Sequence, residues 1–285
     1  MPTPKTIAET LSARPTIEGA GVRLHRGFAN PEVPRFDPFL LFDDFSGSKP
    51  ADYVKGFPWH PHRGIETVTY VLKGDVRHHD SIGNDGMISS GDVQWMTAGN
   101  GILHEEMPEG TSGMQGFQLW VNLPKEHKMT TPRYRDIGKK IIPETAIGAY
   151  ATARVITGSV GDIHGPVTDV FAQPLYIDVP LQPNKEFSLP IPTGYNTFIY
   201  IIDGAVGVGS EGGIDHKHGN IILFSRTGDT VTLRAGSAGA RFLLASGKPL
   251  NEPVAWYGPI VMNTDNEIET AFMELQIGSF IKNGA

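Results

Sequence analysis

The sequence contains no cysteine, no long apolar run and no cluster of basic residues, and each absence narrows the function. Without cysteine there is no disulfide, no thiolate nucleophile and no Cys-type zinc or iron–sulfur site, so histidine and carboxylate groups must hold any metal. No stretch approaches the ~18 apolar residues of a membrane span. The longest Lys/Arg run is Lys139-Lys140 in a chain of net charge −7, which disfavours direct nucleic-acid binding.

Residues 1–15 also lack the apolar segment of ~7–15 residues that is typical of a secretory signal. Together with the absence of a membrane span, this predicts a cytoplasmic protein. The sequence carries no feature that requires a partner subunit, and we expect a monomer.

Turn-forming residues are abundant instead: the 285 residues include 34 glycines and 22 prolines. Such a share predicts many tight turns and an all-β fold. Short β-branched or alternating segments recur between the turns and predict a sandwich or barrel. The clearest of them are residues 67–72, 117–123, 175–179, 197–202, 220–224 and 241–245. One helix is predicted from Asp265 to Gly278, with Thr264 or Asp265 as its cap.

An internal repeat divides the chain into two similar halves. Tyr-Val-Leu-Lys-Gly at 70–74 aligns with Tyr-Ile-Ile-Asp-Gly at 200–204, an offset of 130, and 91–93 aligns with 219–221 at an offset of 128. Two matches at nearly one offset predict two β-domains of common origin. We place them at residues 1–140 and 141–285.

Two short motifs carry the metal chemistry, His60-Pro61-His62 and His104-Glu105-Glu106. Side chains two residues apart on a strand point to the same face, so each motif offers two ligands to one point. On neighbouring strands the motifs would bring three imidazoles and one carboxylate together. That donor set suits a divalent transition metal, especially iron, and leaves coordination positions open for water or substrate.

Two further features of the sequence bear on this site. Glu66 shares the face of His60 and His62 if the strand stays regular. It is then a fifth ligand, a replacement for Glu106, or an acceptor for an imidazole N–H. The adjacent pair His78-His79 points to opposite faces of a strand and cannot chelate one ion, so we interpret it as a surface pair.

The motifs in their wider context resemble the pirin family, a branch of the cupin superfamily. The spacing His60-x-His62-x-x-x-Glu66, followed by Gly74, Gly91-Asp92 and His104, resembles the two cupin motifs on a jelly-roll barrel. The resemblance covers roughly residues 20 to 278 and is weaker from 140 to 250. The segments that resemble pirin signatures are residues 37–45, 60–68, 91–99, 101–104, 119–123 and 257–264.

The resemblance implies two tandem cupin barrels, a short C-terminal helix and one mononuclear Fe(II) in the first barrel. It implies His60, His62, His104 and Glu106 as ligands. Glu66 is then left as a hydrogen-bond acceptor for the N–H of a ligating imidazole. Other divalent transition metals also suit the donors. In the second barrel the corresponding positions, by the repeat, are Pro190, Pro192, Thr232 and Arg234, which predicts that it binds no metal.

Pirins resemble quercetin 2,3-dioxygenases in their site and sometimes in activity, and eukaryotic members are described as nuclear redox-dependent transcriptional cofactors. The first expectation is therefore ring opening of a flavonol or similar aromatic with O₂, with Glu106 as general base. The alternative is an iron-dependent redox sensor that binds a protein partner. For the substrate pocket we expect the side chains Phe57, Trp59, Met96, Ile102, Gln118 and Trp120.

Overall fold

A computed structural model describes residues 2–209 and 213–282. Contacts within these residues separate the chain into two compact units. The N-barrel unit comprises Arg14–Val33, Phe39–Lys139 and the stretch from Leu250 onward; the C-barrel unit comprises the stretch up to Ala13, Pro34–Pro38 and Lys140–Pro249. The sequence-based division at 140/141 takes each barrel as one continuous segment. The contact units differ from it because both terminal stretches pack with the other half of the chain.

Strands account for most of the secondary structure. The helices are α1 Val33–Phe36, α2 Pro50–Tyr53 and α3 Asp265–Gln276, with 3-10 turns at Lys125–His127 and Lys139–Ile141. None of the helices in the described ranges has the length and hydropathy that crossing a bilayer requires. The strands are β1 Ile7–Ser12, β2 Arg14–Glu18, β3 Val22–Phe28, β4 Phe39–Asp44, β5 Phe57–His62, β6 Ile65–Lys73, β7 Asp75–Asp80, β8 Asp85–Ile88, β9 Val93–Thr97, β10 Ile102–Glu109, β11 Gln115–Asn122, β12 Arg133–Ile137, β13 Glu144–Ile147, β14 Ala151–Thr157, β15 Ser159–Val160, β16 Ile163–His164, β17 Leu175–Leu181, β18 Glu186–Pro190, β19 Asn196–Val208, β20 His216–Lys217, β21 Asn220–Phe224, β22 Thr230–Gly247, β23 Ala255–Tyr257 and β24 Ile260–Met262.

The N-barrel unit is built from two antiparallel sheets. The larger has the order β12-β9-β6-β11-β4-β3-β2, and the smaller has the order β5-β10-β7-β8. Thr69 of β6 contacts Glu106 of β10, so the inner faces of the two sheets meet inside the unit. Along β10 burial alternates strictly: Ile102, His104 and Glu106 are buried and the residues between them are partly exposed. The period of two thus turns the histidine and the glutamate inward.

In the C-barrel unit the main strands belong to a single nine-stranded sheet. Its main sheet runs β1-β21-β19-β22-β17-β14-β13, and β18 and β20 pair with the long strands β22 and β19. Each long strand corresponds to two strands of the N-barrel unit, β19 to β6 and β7, and β22 to β10 and β11. The predicted all-β two-barrel fold is confirmed, and a common origin of the two halves stays a prediction. An apolar cluster that includes Phe187, Ile199, Phe242 and Leu244 forms the core of the unit.

The strand pairing corrects one detail of the repeat alignment. His60 lies opposite His104 in the β5–β10 ladder, and Ser188 lies opposite Thr232 in the β18–β22 ladder. If Thr232 corresponds to His104, the ladder makes Ser188 the counterpart of His60. The repeat alignment gave Pro190 instead, so on β18 the two alignments differ by two residues. That this barrel binds no metal stays a prediction.

The C-terminal helix forms as expected and ends two residues earlier, at Gln276. Thr264 caps it: its hydroxyl accepts from the N–H of Glu267, and the Glu267 carboxylate accepts from the N–H of Thr264 at 2.9 Å. This reciprocal capping box satisfies two backbone donors that the first turn otherwise leaves unpaired. Buried Ile268 and Ala271 turn one face of the helix inward.

Replacing Thr264 by Ala should lower the free energy of unfolding by about 1 kcal/mol, because the helix loses its N-terminal cap. Thr270→Ala is the matched control, since Thr270 lies exposed within the helix and its hydroxyl donates to the carbonyl of Asn266. Chemical denaturation of both variants measures the difference. Equal stability of the Thr264→Ala and Thr270→Ala proteins would contradict the capping role.

Candidate metal centre

The three histidines of the two motifs meet on the inner face of the smaller sheet. His60 and His104 face each other across the β5–β10 ladder, and His62 follows on β5. Their ring centroids are 4.4 to 5.1 Å apart. One ring nitrogen from each lies within 4.8 Å of the others, an arrangement that could hold a metal ion. The predicted convergence of His60, His62 and His104 is thus present in the structure, and their role as ligands stays a prediction.

Backbone carbonyls determine which nitrogen of two imidazoles is free. Nδ1 of His60 lies 2.9 Å from the carbonyl oxygen of Pro58, and Nδ1 of His62 lies 2.9 Å from that of Pro259. A carbonyl oxygen only accepts, so both Nδ1 atoms carry the proton and both Nε2 atoms carry a lone pair. These two Nε2 atoms are 3.1 Å apart. Two lone pairs at that distance repel unless a cation or a proton lies beside them.

The surroundings of His104 also indicate that these residues fit a metal. It is fully buried, and neither ring nitrogen has a hydrogen-bond partner among the described residues. A buried polar atom without a partner costs free energy, and a bound ion would remove that cost. The donors therefore fit a divalent transition metal.

Burial keeps all three imidazoles neutral, as metal ligation requires. Desolvation lowers the pKa of His60 and, aided by the neighbouring His60, lowers the pKa of His62 to about 3. Desolvation also lowers the pKa of His104 well below its ordinary value. At neutral pH the centre thus offers three uncharged donors.

Glu106 lies beside the imidazoles but is bonded elsewhere. It is buried, and its Oε1 accepts a hydrogen bond from the hydroxyl of Thr69 at 2.7 Å. The same hydroxyl lies 2.8 Å from the side-chain oxygen of Gln118. Burial raises the pKa of the Glu106 carboxyl, against the opposing effect of Thr69. The Glu106 carboxylate is not part of the group of ligand atoms that lie within 4.8 Å of one another. Its ligand role stays a prediction.

Glu66 does not occupy the face that a regular strand predicts. β5 ends at His62, Gly64 has φ +78°, and β6 begins at Ile65, so the alternation is interrupted between them. Thr69 faces the interior, and Glu66, an odd number of residues away, faces the other side of β6. There its carboxylate accepts from the hydroxyl of Thr97 at 2.7 Å. The acceptors for the imidazole N–H groups are the carbonyls of Pro58 and Pro259 instead.

A cavity of about 700 Å³ opens onto the imidazoles. Of the expected pocket residues, Phe57, Gln118 and Trp120 line it. The full lining is Glu18, Gly19, Ala20, Leu24, Arg26, Ala29, Asn30, Leu41, Asp43, Phe45, Phe57, Pro58, His60, His62, Glu106, Gln118, Trp120, Trp256, Tyr257, Gly258 and Pro259.

The other three expected pocket residues lie elsewhere. Phe57 pairs with Glu106 and His60 with His104, so β5 carries an extra residue between them. This bulge turns Trp59 outward, where it is 48% exposed and packs against His79. Met96 and Ile102 are completely buried in an apolar cluster with Ile65 and do not reach the cavity.

Sequence reasoning missed an ion-pair network in the cavity wall. Arg26 donates to both carboxylate oxygens of Asp43, at 2.9 and 2.7 Å, and to Glu18 at 2.8 Å. The available signal was Asp43 at the end of the apolar segment 39–42, since a carboxylate in a fully buried strand needs a partner. Residues 256–259 form another wall. They overlap the pirin-like segment 257–264, but no local pattern placed them at the cavity.

The pair His78-His79 also needs correction, because only His79 is at the surface. His78 is fully buried, stacks on Tyr134 with centroids 4.7 Å apart, and has Nε2 3.2 Å from Asp136. It lies opposite Glu106 in the β10–β7 ladder. Adjacent residues do point to opposite faces of β7, as expected. One of the two faces is the barrel interior, so His78 is buried and only His79 is at the surface.

Fold and site together define a cupin protein with two barrels and a histidine cluster in one of them. Two family models match the chain, Pirin over residues 21–121 and the Pirin C-terminal cupin domain over residues 176–281. The chain therefore belongs to the pirin family.

Relatives match nearly the whole length of the chain. A pirin-like protein of Caulobacter vibrioides is 43% identical over 97% of this chain and 99% of its own. Pirin of Homo sapiens is 40% identical over 95% of this chain and 92% of its own. The crystal structure of quercetin 2,3-dioxygenase from Acinetobacter baumannii is 36% identical, with a TM-score of 0.90, and the match covers 97% of this chain and 98% of that one.

The lowered pKa of His62 predicts that acid destabilises the metal-free protein. Between pH 6.5 and about 3 the unfolded chain binds a proton at His62 that the folded chain does not, so stability falls as pH falls. From about pH 7.5 to about pH 5 this single group should contribute a loss of about 2 kcal/mol. Denaturant unfolding in chelator compares wild type with His62→Gln, which should lose correspondingly less. Parallel pH profiles of the two proteins would contradict the assignment.

Proposed function

We propose that this protein opens the ring of a flavonol, or of a similar enolic aromatic, with O₂ at one divalent metal, preferably iron. The ligands proposed are His60, His62, His104 and Glu106. One observation carries the proposal: neutral imidazoles with converging lone pairs lie at an aromatic-lined cavity beside a buried carboxylate. The likeness to a solved quercetin 2,3-dioxygenase supports the choice of substrate class.

The cavity walls suit a planar aromatic molecule. Trp120 packs edge-on against His62 with centroids 5.0 Å apart, and Trp256 lies 5.7 Å from Trp120 at a tilt of 33°. With Phe57, these rings offer flat apolar surfaces next to the imidazoles. A flavonol, with a hydroxyl beside a carbonyl, can place that polar edge toward the imidazoles and its apolar rings against the tryptophans.

A bound divalent iron would supply Lewis acidity and one-electron chemistry toward O₂. The chain itself must remove the proton of the substrate hydroxyl. Three imidazoles that act as neutral ligands are poor proton acceptors, so the base is Glu106. The hydroxyl of Thr69 donates to Oε1 of Glu106 and so fixes the orientation of this carboxylate, which lines the cavity. A raised pKa makes it a stronger base than an exposed glutamate.

The ligand assignment predicts one tightly bound divalent ion per chain. His62→Ala should abolish stoichiometric binding, because it removes one of three imidazole donors. His79→Ala is the matched control, since it also removes an imidazole from the smaller sheet, but one that lies on the exposed face of β7. Metal analysis after desalting measures both. Full metal content in His62→Ala would contradict the assignment, and two tightly bound ions in wild type would contradict a metal-free second barrel.

The base assignment predicts that Glu106→Gln lowers flavonol turnover by about 10²-fold or more, and lowers metal occupancy much less. Higher pH should restore part of the rate by ionising the substrate hydroxyl directly. Glu105→Gln, on the opposite face of β10, should behave like wild type.

Oxygen uptake with quercetin, by iron-loaded and by metal-free protein, measures this activity. An iron-loaded wild type that consumes no O₂ with any flavonol, while its iron still cycles between ferrous and ferric, would contradict the catalytic proposal. That result would favour the redox-sensor alternative at the same four residues.

A further inference from the structure

One wall of the metal centre comes from the far end of the chain. Strands β23 and β24 form a hairpin, and residues 256–259, from within β23 through the turn, line the cavity. The carbonyl of Pro259 accepts the Nδ1 proton of His62 across 197 residues of sequence. The indole N–H of Trp256 bonds the carbonyl of Gly258 at 2.7 Å and so braces the turn. The orientation of one imidazole thus depends on where this hairpin lies.

A buried lysine anchors the hairpin. Lys128 is 2% exposed, and its Nζ donates to the carbonyl of Val261 at 2.9 Å, the carbonyl of Gly64 at 2.8 Å and the amide oxygen of Asn122 at 2.5 Å. These three acceptors match the three protons of an ammonium group. A side chain at Gly64 would collide with the carbonyl of Val261, so the close approach of the hairpin requires glycine there.

A buried arginine beside His62 anchors the C-terminal segment beyond the hairpin. Arg63 is 1% exposed; its side chain donates to the carbonyls of Asn100 at 2.7 Å and Phe280 at 3.0 Å and forms an ion pair with Glu274 at 2.7 Å. Its own carbonyl accepts from the N–H of Val261 at 3.1 Å. The guanidinium also lies 4.2 Å over the ring of Phe280. Both α3 and the hairpin are therefore tied to the residue next to His62.

We infer that residues 255–282, here called the C-terminal clamp, are a positioning element of the metal centre, with Lys128 and Arg63 as the positioning residues that hold it. Through Pro259 the clamp selects the tautomer of His62 and directs its Nε2 toward the other imidazoles. The inference rests on the metal site of the proposed function. Because coupling between two sites is reciprocal, metal binding must also tighten the clamp.

Loss of an acceptor behind a ligating histidine typically weakens metal binding 10- to 100-fold. Lys128→Met keeps the length of the side chain but leaves the Val261 carbonyl without its donor, so the hairpin should loosen and His62 should lose its fixed orientation. Ni²⁺ is a suitable probe because it binds imidazole strongly and is redox-stable. We expect its Kd, by titration calorimetry, to rise about 10-fold in Lys128→Met. Lys125→Met, exposed in the preceding turn, should leave the Kd unchanged.

Hydrogen exchange tests the reciprocal effect, which a merely structural lysine would not produce. Ni²⁺ should slow exchange of the amides at 255–262 in wild type, including the N–H of Val261, and should fail to do so in His62→Ala. Glu274→Gln, which weakens the docking of α3, should raise the Ni²⁺ Kd by a smaller factor than Lys128→Met. It replaces Lys128→Met as the test variant if that protein does not fold.

Tight Ni²⁺ binding by wild type without any change in exchange at 255–262 would overturn the positioning role and leave the metal site standing. An unchanged Ni²⁺ Kd in a folded Lys128→Met protein would do the same. Absence of Ni²⁺ binding by wild type would overturn both the metal centre and the clamp inference.

Discussion

The register of β5 against β10 is the constraint on which the candidate site depends. His60 lies opposite His104, and the inward face of β10 continues to Glu106. A slip of one residue would turn every one of these side chains to the opposite face. The bulge in β5 adjusts this register: it lets both Phe57 and His60 point inward although they are three residues apart.

The two barrels show how one fold separates a site from a scaffold. In the N-barrel unit Thr69 and Gln118 are paired across β6 and β11 and contact each other inside. In the C-barrel unit Ile199, which aligns with Thr69 at the offset of 130, pairs with Leu244, and both are fully buried in the apolar core. Strand order alone therefore says little about function. The chemistry depends on which inward positions are polar.

The sequence predicted the features that depend on local periodicity and missed those that depend on distant contacts. The two same-face pairs and the capped helix arise from periods of two and 3.6 residues, and both are present. Alternation could not reveal the bulge that expels Trp59 or the break at Gly64 that redirects Glu66. Nor could it reveal Pro259 as the acceptor for His62, because no local pattern links residues 197 positions apart.

Polar burial in the N-barrel unit has an energetic consequence that the clamp helps to offset. Burial lowers the pKa of the three imidazoles and raises those of Glu66 and Glu106, because desolvation disfavours the charged form of each group. Such groups weaken a core unless they are bonded or bind an ion.

The two buried basic side chains that hold the clamp, Lys128 and Arg63, are matched by backbone carbonyls, an amide oxygen and a carboxylate at 2.5 to 3.0 Å. Removing one partner of such a network costs much more than the network contributes in net stability. A satisfied network therefore specifies one position for the hairpin rather than adding much stability. A single position is what His62 needs, because the direction of its lone pair depends on the carbonyl of Pro259.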